Sequence, residues 1–225
     1  MRKRTHNSRT HRAWYNALSR YYDVLIDPFQ GRLRRRGIGF LGVSADDRVL
    51  DIGCGTGRGS TTLQDAVGPG GNVVGIDVAD QMCRRTRDRL EADAPSAVVC
   101  GDALALPFAS DSFDAVLVSF TLELFEAESQ MVVLEEIRRV LAPRGRICVI
   151  APSTAASTLI TVLYERLNDA FPTLVDSRPL DVRGVLTRAD FEVVRTEVEW
   201  VLAVPVALVF ARRGPSPGDR SRTTD

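Results

Sequence analysis

An apolar run that passes into alternating glycines, VLDIGCGTGRG, occupies residues 49–59. Gly53, Gly55 and Gly57 fall at every second position, and glycine is the residue that a backbone needs where it adopts positive φ or passes close to a ligand. A helix is predicted to follow over residues 59–67, and the N-terminus of a helix offers free N–H groups to a negatively charged group. The stretch therefore predicts a strand, a ligand-binding loop and a helix in succession.

Short apolar segments alternate with predicted helices over the rest of the chain. The predicted strands span residues 48–53, 72–77, 97–100, 113–120, 146–150, 191–200 and 205–212, and the predicted helices span 59–67, 81–91, 129–141, 157–171 and 182–188. Such strands imply a mostly parallel sheet covered on both faces. Because the last two strands leave no room for a crossover helix, one of them is expected to run antiparallel. The predicted fold is α/β: a Rossmann-like, doubly wound, seven-stranded, mostly parallel sheet with one antiparallel strand and an N-terminal helical cap.

The segments outside the sheet are predicted to form a lid and two tails. Residues 1–12 are expected to be a disordered basic tail, 13–44 a helical lid, 45–212 the α/β domain and 213–225 a second disordered tail. Residues 1–36 hold ten basic and two acidic side chains, whereas the whole chain has 29 of each and no formal net charge. We favour a solvated arm for this basic excess. The alternative is an arm that meets an anionic lipid surface or nucleic acid.

Composition excludes several classes of protein and of active site. The chain is 44% hydrophobic and 26% charged, as expected of one globular domain, and its longest apolar run, residues 200–211, is too short to span a bilayer. No secretory signal opens the chain, so we expect a cytoplasmic protein. The four cysteines form no CxxC pair, which predicts free buried thiols and no metal site. His6 and His11, the two histidines, lie in the N-terminal tail, which argues against Ser-His-Asp and Cys-His catalysis.

Three acidic residues are expected at the carboxyl ends of successive strands. Asp51 ends the first strand, Asp77 ends the second, and Asp102 follows the third. A carboxylate such as that of Asp77 can accept hydrogen bonds from both hydroxyls of a ribose, and Asp102 is suitably placed to accept one from an adenine amine. The alternative is that the glycines form a plain tight turn and that Asp77 and Asp102 only cap strand ends.

Two phosphate-binding patterns do not fit the sequence around the glycines. The dinucleotide fingerprint GxGxxG fails, because its sixth position is Arg58 when counted from Gly53 and Ser60 when counted from Gly55. A phosphate loop needs Gly-Lys-Ser/Thr, and Lys3 is the only lysine. The glycines and the three acids therefore indicate a holder for a nucleoside that carries no pyrophosphate.

Four motifs together give the chain a resemblance to a known family. They are DIGCGTG at 51–57, GID at 75–77, GDALALPFASDSFDAV at 101–116 and EEIRRVLAPRGRICVI at 135–150. With these motifs, residues 45–211 resemble the class I S-adenosyl-L-methionine (SAM) dependent methyltransferases. The spacing of LPF and SFD, the Tyr22-Asp23 pair and the RRVLxPxG segment are most similar to the ubiquinone/menaquinone-biosynthesis group, methyltransferase type 11.

The resemblance implies that SAM is the cofactor. It assigns cofactor contacts to Tyr22, Asp51, Gly53, Cys54, Gly55, Gly57, Asp77, Val78, Met82, Asp102, Ala103 and Ser119. On the methionine side, the glycine loop would lie beneath the cofactor, with Asp51 facing its amino group and Ser119 near it. Tyr22 would close over the cofactor from the lid, although helix packing is an equal alternative for this ring.

The adenosine side is assigned to the residues after the second and third strands. Asp77 would bind the ribose, Val78 and Met82 would flank the adenine, and Asp102 with Ala103 would contact the edge of the base. Core packing is the alternative for Met82. Cys54 is expected to fill a place in the loop and not to act as a nucleophile, because nothing near it would lower its pKa.

Methyl transfer is an in-line displacement, so alignment of the acceptor with the methyl group supplies most of the rate and a base is optional. The candidates for such a base are Tyr22, Glu123 and the region Asp176–Arg178. For Glu123 we favour the alternative that it begins a solvated acidic face.

The acceptor is expected to be small and lipophilic. SFTL at 119–122 lacks the Asn/Asp-Pro-Pro-Tyr arrangement of enzymes that methylate nucleobase amines, which argues against nucleic acid. Residues 157–171 with Phe120, Leu122 and Phe125 are predicted to line an apolar pocket, for a quinol-like ring carbon or a phospholipid headgroup amine. The basic N-terminus is a candidate for peripheral membrane contact. The alternatives are a natural-product or macromolecular acceptor, a SAM-binding protein without transfer activity and, more remotely, an NAD enzyme.

Overall fold

A computed structural model of the protein describes residues 29–90, 95–154, 179–201 and 204–215. Several sequence predictions fall elsewhere in the chain. Outside the described residues lie the N-terminal tail, most of the lid with Tyr22, the helix predicted at 157–171, the region Asp176–Arg178 and most of the C-terminal tail.

The described residues form seven strands and five helices. The strands are β1 (Arg48–Ile52), β2 (Asn72–Asp77), β3 (Ser96–Cys100), β4 (Phe113–Ser119), β5 (Leu141–Pro152), β6 (Phe191–Val201) and β7 (Val204–Arg213). The helices are α1 (29–41), α2 (Arg58–Val67), α3 (Asp80–Arg89), α4 (Ala127–Val140) and α5 (Val182–Arg188). Two short 3-10 segments, Gly68–Gly70 and Leu122–Leu124, complete the regular structure of these ranges.

The strands form one sheet in the order β3-β2-β1-β4-β5-β7-β6. β7 is antiparallel to both of its neighbours, and the other pairs are parallel. The predicted fold class is therefore confirmed. β7 is the antiparallel strand because only two residues separate Val201, the end of β6, from Val204, the start of β7, and a parallel pair needs a crossover of about a dozen residues. The strand order reverses between β1 and β4, which places the ligand crevice of such a sheet over their carboxyl ends.

Two apolar clusters fill the space between the sheet and the helices. On one face α1 contributes Leu33, Ile38 and Leu41, which pack with α2 and with β1, β4, β5 and β7. On the other face α4 and α5 pack against the sheet, and Leu134 and Ile137 of α4 are fully buried. In the ranges that the structure describes, no helix has the length and apolarity needed to cross a membrane.

The predicted helix bounds hold for α5 and need a small correction for α4. Residues 182–188 form a helix as predicted, whereas α4 begins at Ala127 and ends at Val140. Leu141, predicted as the last residue of that helix, is instead the first residue of β5, because it pairs with Phe113 at the start of β4.

An ion pair on α4 holds the loop between β3 and β4. The Arg139 guanidinium donates to the carbonyl oxygens of Phe108 at 2.7 Å and Leu106 at 2.9 Å. The Glu136 carboxylate accepts from the Leu106 N–H at 2.8 Å and from Arg139 at 2.8 Å. Hydrogen bonding from Arg139 lowers the pKa of Glu136, so the carboxylate stays ionised and the pair stays formed at neutral pH. Two of the sequence motifs are thus one structural unit.

Replacing Arg139 with Gln should lower the free energy of unfolding by about 1–3 kcal/mol, because two carbonyl oxygens and one carboxylate lose a charged donor. Urea denaturation followed by circular dichroism measures the change. Arg144→Gln is the matched control, because Arg144 is exposed and should lose less than about 0.5 kcal/mol. Equal losses in the two variants would contradict the structural role of Arg139.

Candidate functional site

The glycine loop after β1 is built from left-handed residues. Gly53, Gly55 and Gly57 have φ values of 67°, 55° and 83°, and Gly57 caps the N-terminus of α2. A Cβ on Gly53 would overlap the side chain of Thr121, with the Thr121 Cβ only 2.8 Å away, so the loop packs directly on the segment after β4. At Gly55 an added Cβ would meet nothing nearer than 3.9 Å. The loop therefore faces open space at its centre.

The Asp77 carboxylate holds this loop to the end of β2. Its Oδ2 accepts from the Gly55 N–H at 2.9 Å and its Oδ1 accepts from the Ala79 N–H at 2.9 Å. The capping role considered for Asp77 is thus real, but it uses only part of the carboxylate. An ionised carboxylate accepts about four hydrogen bonds, so about two remain for a ligand.

Asp51 is buried at the end of β1, with 1% of its surface exposed. Its Oδ2 accepts from the Ser60 hydroxyl at 2.7 Å, whereas its Oδ1 has no hydrogen-bond partner among the residues that the structure describes. Burial raises the pKa of Asp51 to about 6; the Ser60 hydrogen bond and the positive charge of Arg34 oppose the rise, and the negative charge of Asp77 adds to it. A buried carboxyl with a free oxygen is suited to bind a cation or a donor group.

Cys54 and Thr86 support the loop from below. The Cys54 thiol lies 3.7 Å from the Thr86 hydroxyl, which donates to the Gly55 carbonyl at 2.8 Å. Burial raises the pKa of Cys54 to about 12, so the thiol stays protonated and is unsuited to nucleophilic catalysis, as expected. Sequence reasoning missed Thr86 and Ser60, because a hydroxyl inside a helix gives no signal until its partner is known.

The four cysteines are free thiols. Cys54, Cys83 and Cys148 are buried as predicted, but the expectation of a buried thiol is wrong for Cys100, which is exposed at the end of the edge strand β3. In the described parts of the chain no group of three or more His, Cys, Asp or Glu residues is arranged to hold a metal ion.

The residues assigned to an adenosine lie together after β2 and β3. Val78 follows Asp77 and is 75% exposed, an unusual position for a large apolar side chain. Met82 is half-buried on α3. The Asp102 Oδ1 accepts from the Leu104 N–H at 2.9 Å, so this carboxylate caps its own loop, and Ala103 is buried beside it. An exposed apolar side chain and two carboxylates therefore share one edge of the sheet.

The segment after β4 contains the second buried carboxyl. Ser119 ends β4 half-buried, and Phe120 turns the chain with a φ of 54°. Glu123 follows in a 3-10 turn and is only 4% exposed, so the interpretation of Glu123 as part of a solvated face is wrong. The turn directs Glu123 inward and leaves Leu124 62% exposed. Burial raises the pKa of Glu123 to about 7, opposed only by its own backbone N–H.

The three residues after β4 that were predicted to line an apolar pocket differ in burial. Leu122 is fully buried in the cluster under α4, so its assignment to a pocket wall is wrong. Phe120 and Phe125 are half-buried and pack against the two clusters on opposite faces of the sheet. Leu124, which was not predicted, is the exposed apolar side chain of this segment.

Comparisons with known proteins agree with the motifs and the fold. A family model described as a methyltransferase domain matches residues 49–145. The chain is 32% identical over 165 residues to a demethylmenaquinone methyltransferase of Staphylococcus aureus, an alignment that covers 72% of this chain and 67% of that protein. A SAM-dependent methyltransferase of Methanosarcina mazei superposes with a TM-score of 0.66 at 19% identity, covering 78% of this chain and 96% of that one. One from Aquifex aeolicus has a TM-score of 0.61 at 22% identity, covering 77% and 85%.

Replacing Gly53 with Ala should destabilise the loop for two separable reasons. A left-handed φ costs a Cβ about 1–2 kcal/mol, and the overlap with Thr121 adds about 1–3 kcal/mol. Gly42→Ala is the matched control, because Gly42 also has a positive φ of 54° but an added Cβ there would meet nothing within 4 Å. Urea denaturation should show the larger loss for Gly53→Ala and partial recovery in Gly53→Ala/Thr121→Gly. Equal losses at the two glycines would show that the loop does not pack on Thr121.

Proposed function

The chain belongs to the class I SAM-dependent methyltransferases, and we propose that it methylates a ring carbon of a small, lipophilic quinol. The observation that carries this choice of acceptor is the 32% identity to a protein named demethylmenaquinone methyltransferase. SAM supplies an electrophilic methyl group on a sulfonium when it is bound. The residues of this chain must then bind the cofactor and hold the acceptor in line with that group.

On the methionine side we assign Asp51 to the amino group of the cofactor. The free Oδ1 of this buried carboxyl supports the assignment, because a cationic amino group would both donate to it and offset its burial. The loop from Gly53 through Cys54 to Gly57 would lie beneath the methionine, where the open space at Gly55 leaves room. Ser119 would contact the same part of the cofactor from the end of β4, and Tyr22 would cover it.

On the adenosine side we assign the ribose hydroxyls to Asp77. The carboxylate has about two acceptor positions left after its bonds to Gly55 and Ala79. Val78 and Met82 would flank the adenine, and the unusual exposure of Val78 supports a planar ring against it. Asp102, with Ala103 beside it, would accept from the exocyclic amine of the base.

The reaction can be tested with purified protein, deuterated-methyl SAM and demethylmenaquinone kept reduced by dithionite in detergent. Mass spectrometry should find one labelled methyl group on the quinol ring. Asp77→Asn should weaken binding of S-adenosylhomocysteine (SAH) about tenfold or more in calorimetry, because a charged acceptor is lost. Asp88→Asn, the same change on the exposed side of α3, should leave the affinity unchanged.

The other candidate functions correspond to different outcomes of the same assay. Label in a phospholipid amine, a natural product, RNA or protein instead of the quinol would overturn the acceptor. SAH binding with no label in any extract would point to a binding protein without transfer activity. Absence of SAH binding would overturn the cofactor site itself.

Binding of SAH should weaken in acid because Asp51 must be ionised to pair with the cofactor's amino group. With a pKa of about 6 in the free protein, the carboxyl is protonated below that pH, so the affinity should fall about tenfold per pH unit below 6 and stay level above it. Calorimetry from pH 4.5 to pH 8 measures this dependence. Asp51→Asn should bind SAH weakly at every pH. If the affinity of the wild type for SAH did not change with pH, the assignment of Asp51 would be contradicted.

A further inference from the structure

Glu123 is the buried carboxyl that cofactor binding does not use. It lies four residues after Ser119, at the carboxyl end of β4, the strand that borders β1 at the point where the sheet order reverses. Asp51 and the glycine loop occupy the β1 side of this crevice. Glu123 therefore lies at the β4 side of this crevice.

The segment that carries Glu123 is fixed close to the glycine loop. The Thr121 side chain packs against Gly53, and its hydroxyl donates to the Ser119 carbonyl at 3.0 Å. The Phe120 N–H donates to the Ile150 carbonyl on β5 at 2.8 Å. These contacts hold the 3-10 turn rigidly, so Glu123 is positioned by the same packing that positions the loop.

The carboxyl of Glu123 is buried without compensation. Within the described ranges its Oε2 has no hydrogen-bond partner, although 96% of the residue's surface is covered. No ionisable side chain of the described residues perturbs it: burial raises its pKa to about 7, and the sole opposing influence is its own N–H. A buried, unpaired acceptor costs stability, and such costs concentrate at functional sites.

We propose that Glu123 is the proton acceptor for the ring hydroxyl of the methyl acceptor. This inference rests on the proposed quinol substrate.

The proposed step balances without an oxidant. The O–H bond of the quinol breaks, its proton passes to Glu123, and the electron pair left on oxygen raises the nucleophilicity of the adjacent ring carbon. That carbon forms a bond to the methyl group as the S–CH3 bond breaks, and the bonding pair stays on sulfur in SAH. The ring carbon's hydrogen then returns to the quinol oxygen as a proton, and Glu123 releases its proton to water. One proton is released in total.

The test compares Glu123→Gln with Glu126→Gln, the same change at an exposed position three residues along. Gln is isosteric with the protonated carboxyl, so the fold and SAH affinity of Glu123→Gln should match the wild type. With reduced demethylmenaquinone, kcat should fall by about 100-fold or more, the range for loss of a general base. Glu126→Gln should keep the wild-type rate, and Glu123→Asp should retain a rate above that of Glu123→Gln.

The pH profile separates catalysis from a structural role. In the wild type kcat/KM should rise about tenfold per pH unit up to pH 7 and then level, because Glu123 must be ionised to accept a proton. Glu123→Gln should abolish that limb. The free energy of unfolding of the wild type should fall as pH rises from about 4.5 to about 7, because a raised pKa favours the protonated folded state. The variant should lose this slope between about pH 6 and pH 7 and keep the part below pH 6 that Asp51 contributes.

Two failures are distinguishable. If the wild type binds SAH but methylates no quinol, the proposed acceptor is wrong, and the proposed role of Glu123, which depends on that acceptor, is wrong as well. If the wild type methylates the quinol and Glu123→Gln retains more than about a third of kcat with an unchanged pH profile, the acceptor stands and Glu123 is only structural.

Discussion

The carboxylate of Asp77 joins the glycine loop after β1 to the segment that leads from β2 into α3. One oxygen accepts from Gly55 in the loop after β1, and the other accepts from Ala79 at the start of α3. Three alternating residues of the glycine loop are held in left-handed conformations, so the loop needs an external partner to keep a single shape. The Asp77 carboxylate, together with the Thr86 hydroxyl that donates to the Gly55 carbonyl, therefore holds the proposed cofactor site in place relative to the sheet.

Two further carboxyls, Asp51 and Glu123, are buried at the carboxyl ends of β1 and β4, and neither forms a direct salt bridge with another described residue. Asp51 has one hydroxyl partner and Glu123 has none but its own N–H, and burial raises the pKa of both. A core position filled in this way is less stable than an apolar one. Proteins bury carboxyls without a charged partner mainly where a site must offer charge to a ligand. Both of these carboxyls lie near the glycine loop.

The sequence was informative wherever the signal was local. The apolar strands, the glycines and the bounds of α5 follow from spacing within a few residues, and the structure confirms them. The burial of Glu123 could not be predicted, because the 3-10 turn buries two consecutive residues, Leu122 and Glu123, and leaves Leu124 exposed. The exposure of Cys100 depends on β3 being an edge strand, which only the sheet order reveals. The links from Arg139 to Leu106 and Phe108 span more than 30 residues and leave no periodic trace.

The bond between α4 and the loop that contains Leu106 and Phe108 restricts how the chain can be recombined with its relatives. The loop leads from Asp102, beside the proposed adenine pocket, to the start of β4, and Glu136 and Arg139 supply its polar partners from the opposite layer. In a chimaera that received this loop alone, the Leu106 N–H and the Leu106 and Phe108 carbonyls would lose the partners that Glu136 and Arg139 supply. The loop and α4 therefore form one structural unit, and a graft that is to keep the conformation of this loop has to include α4.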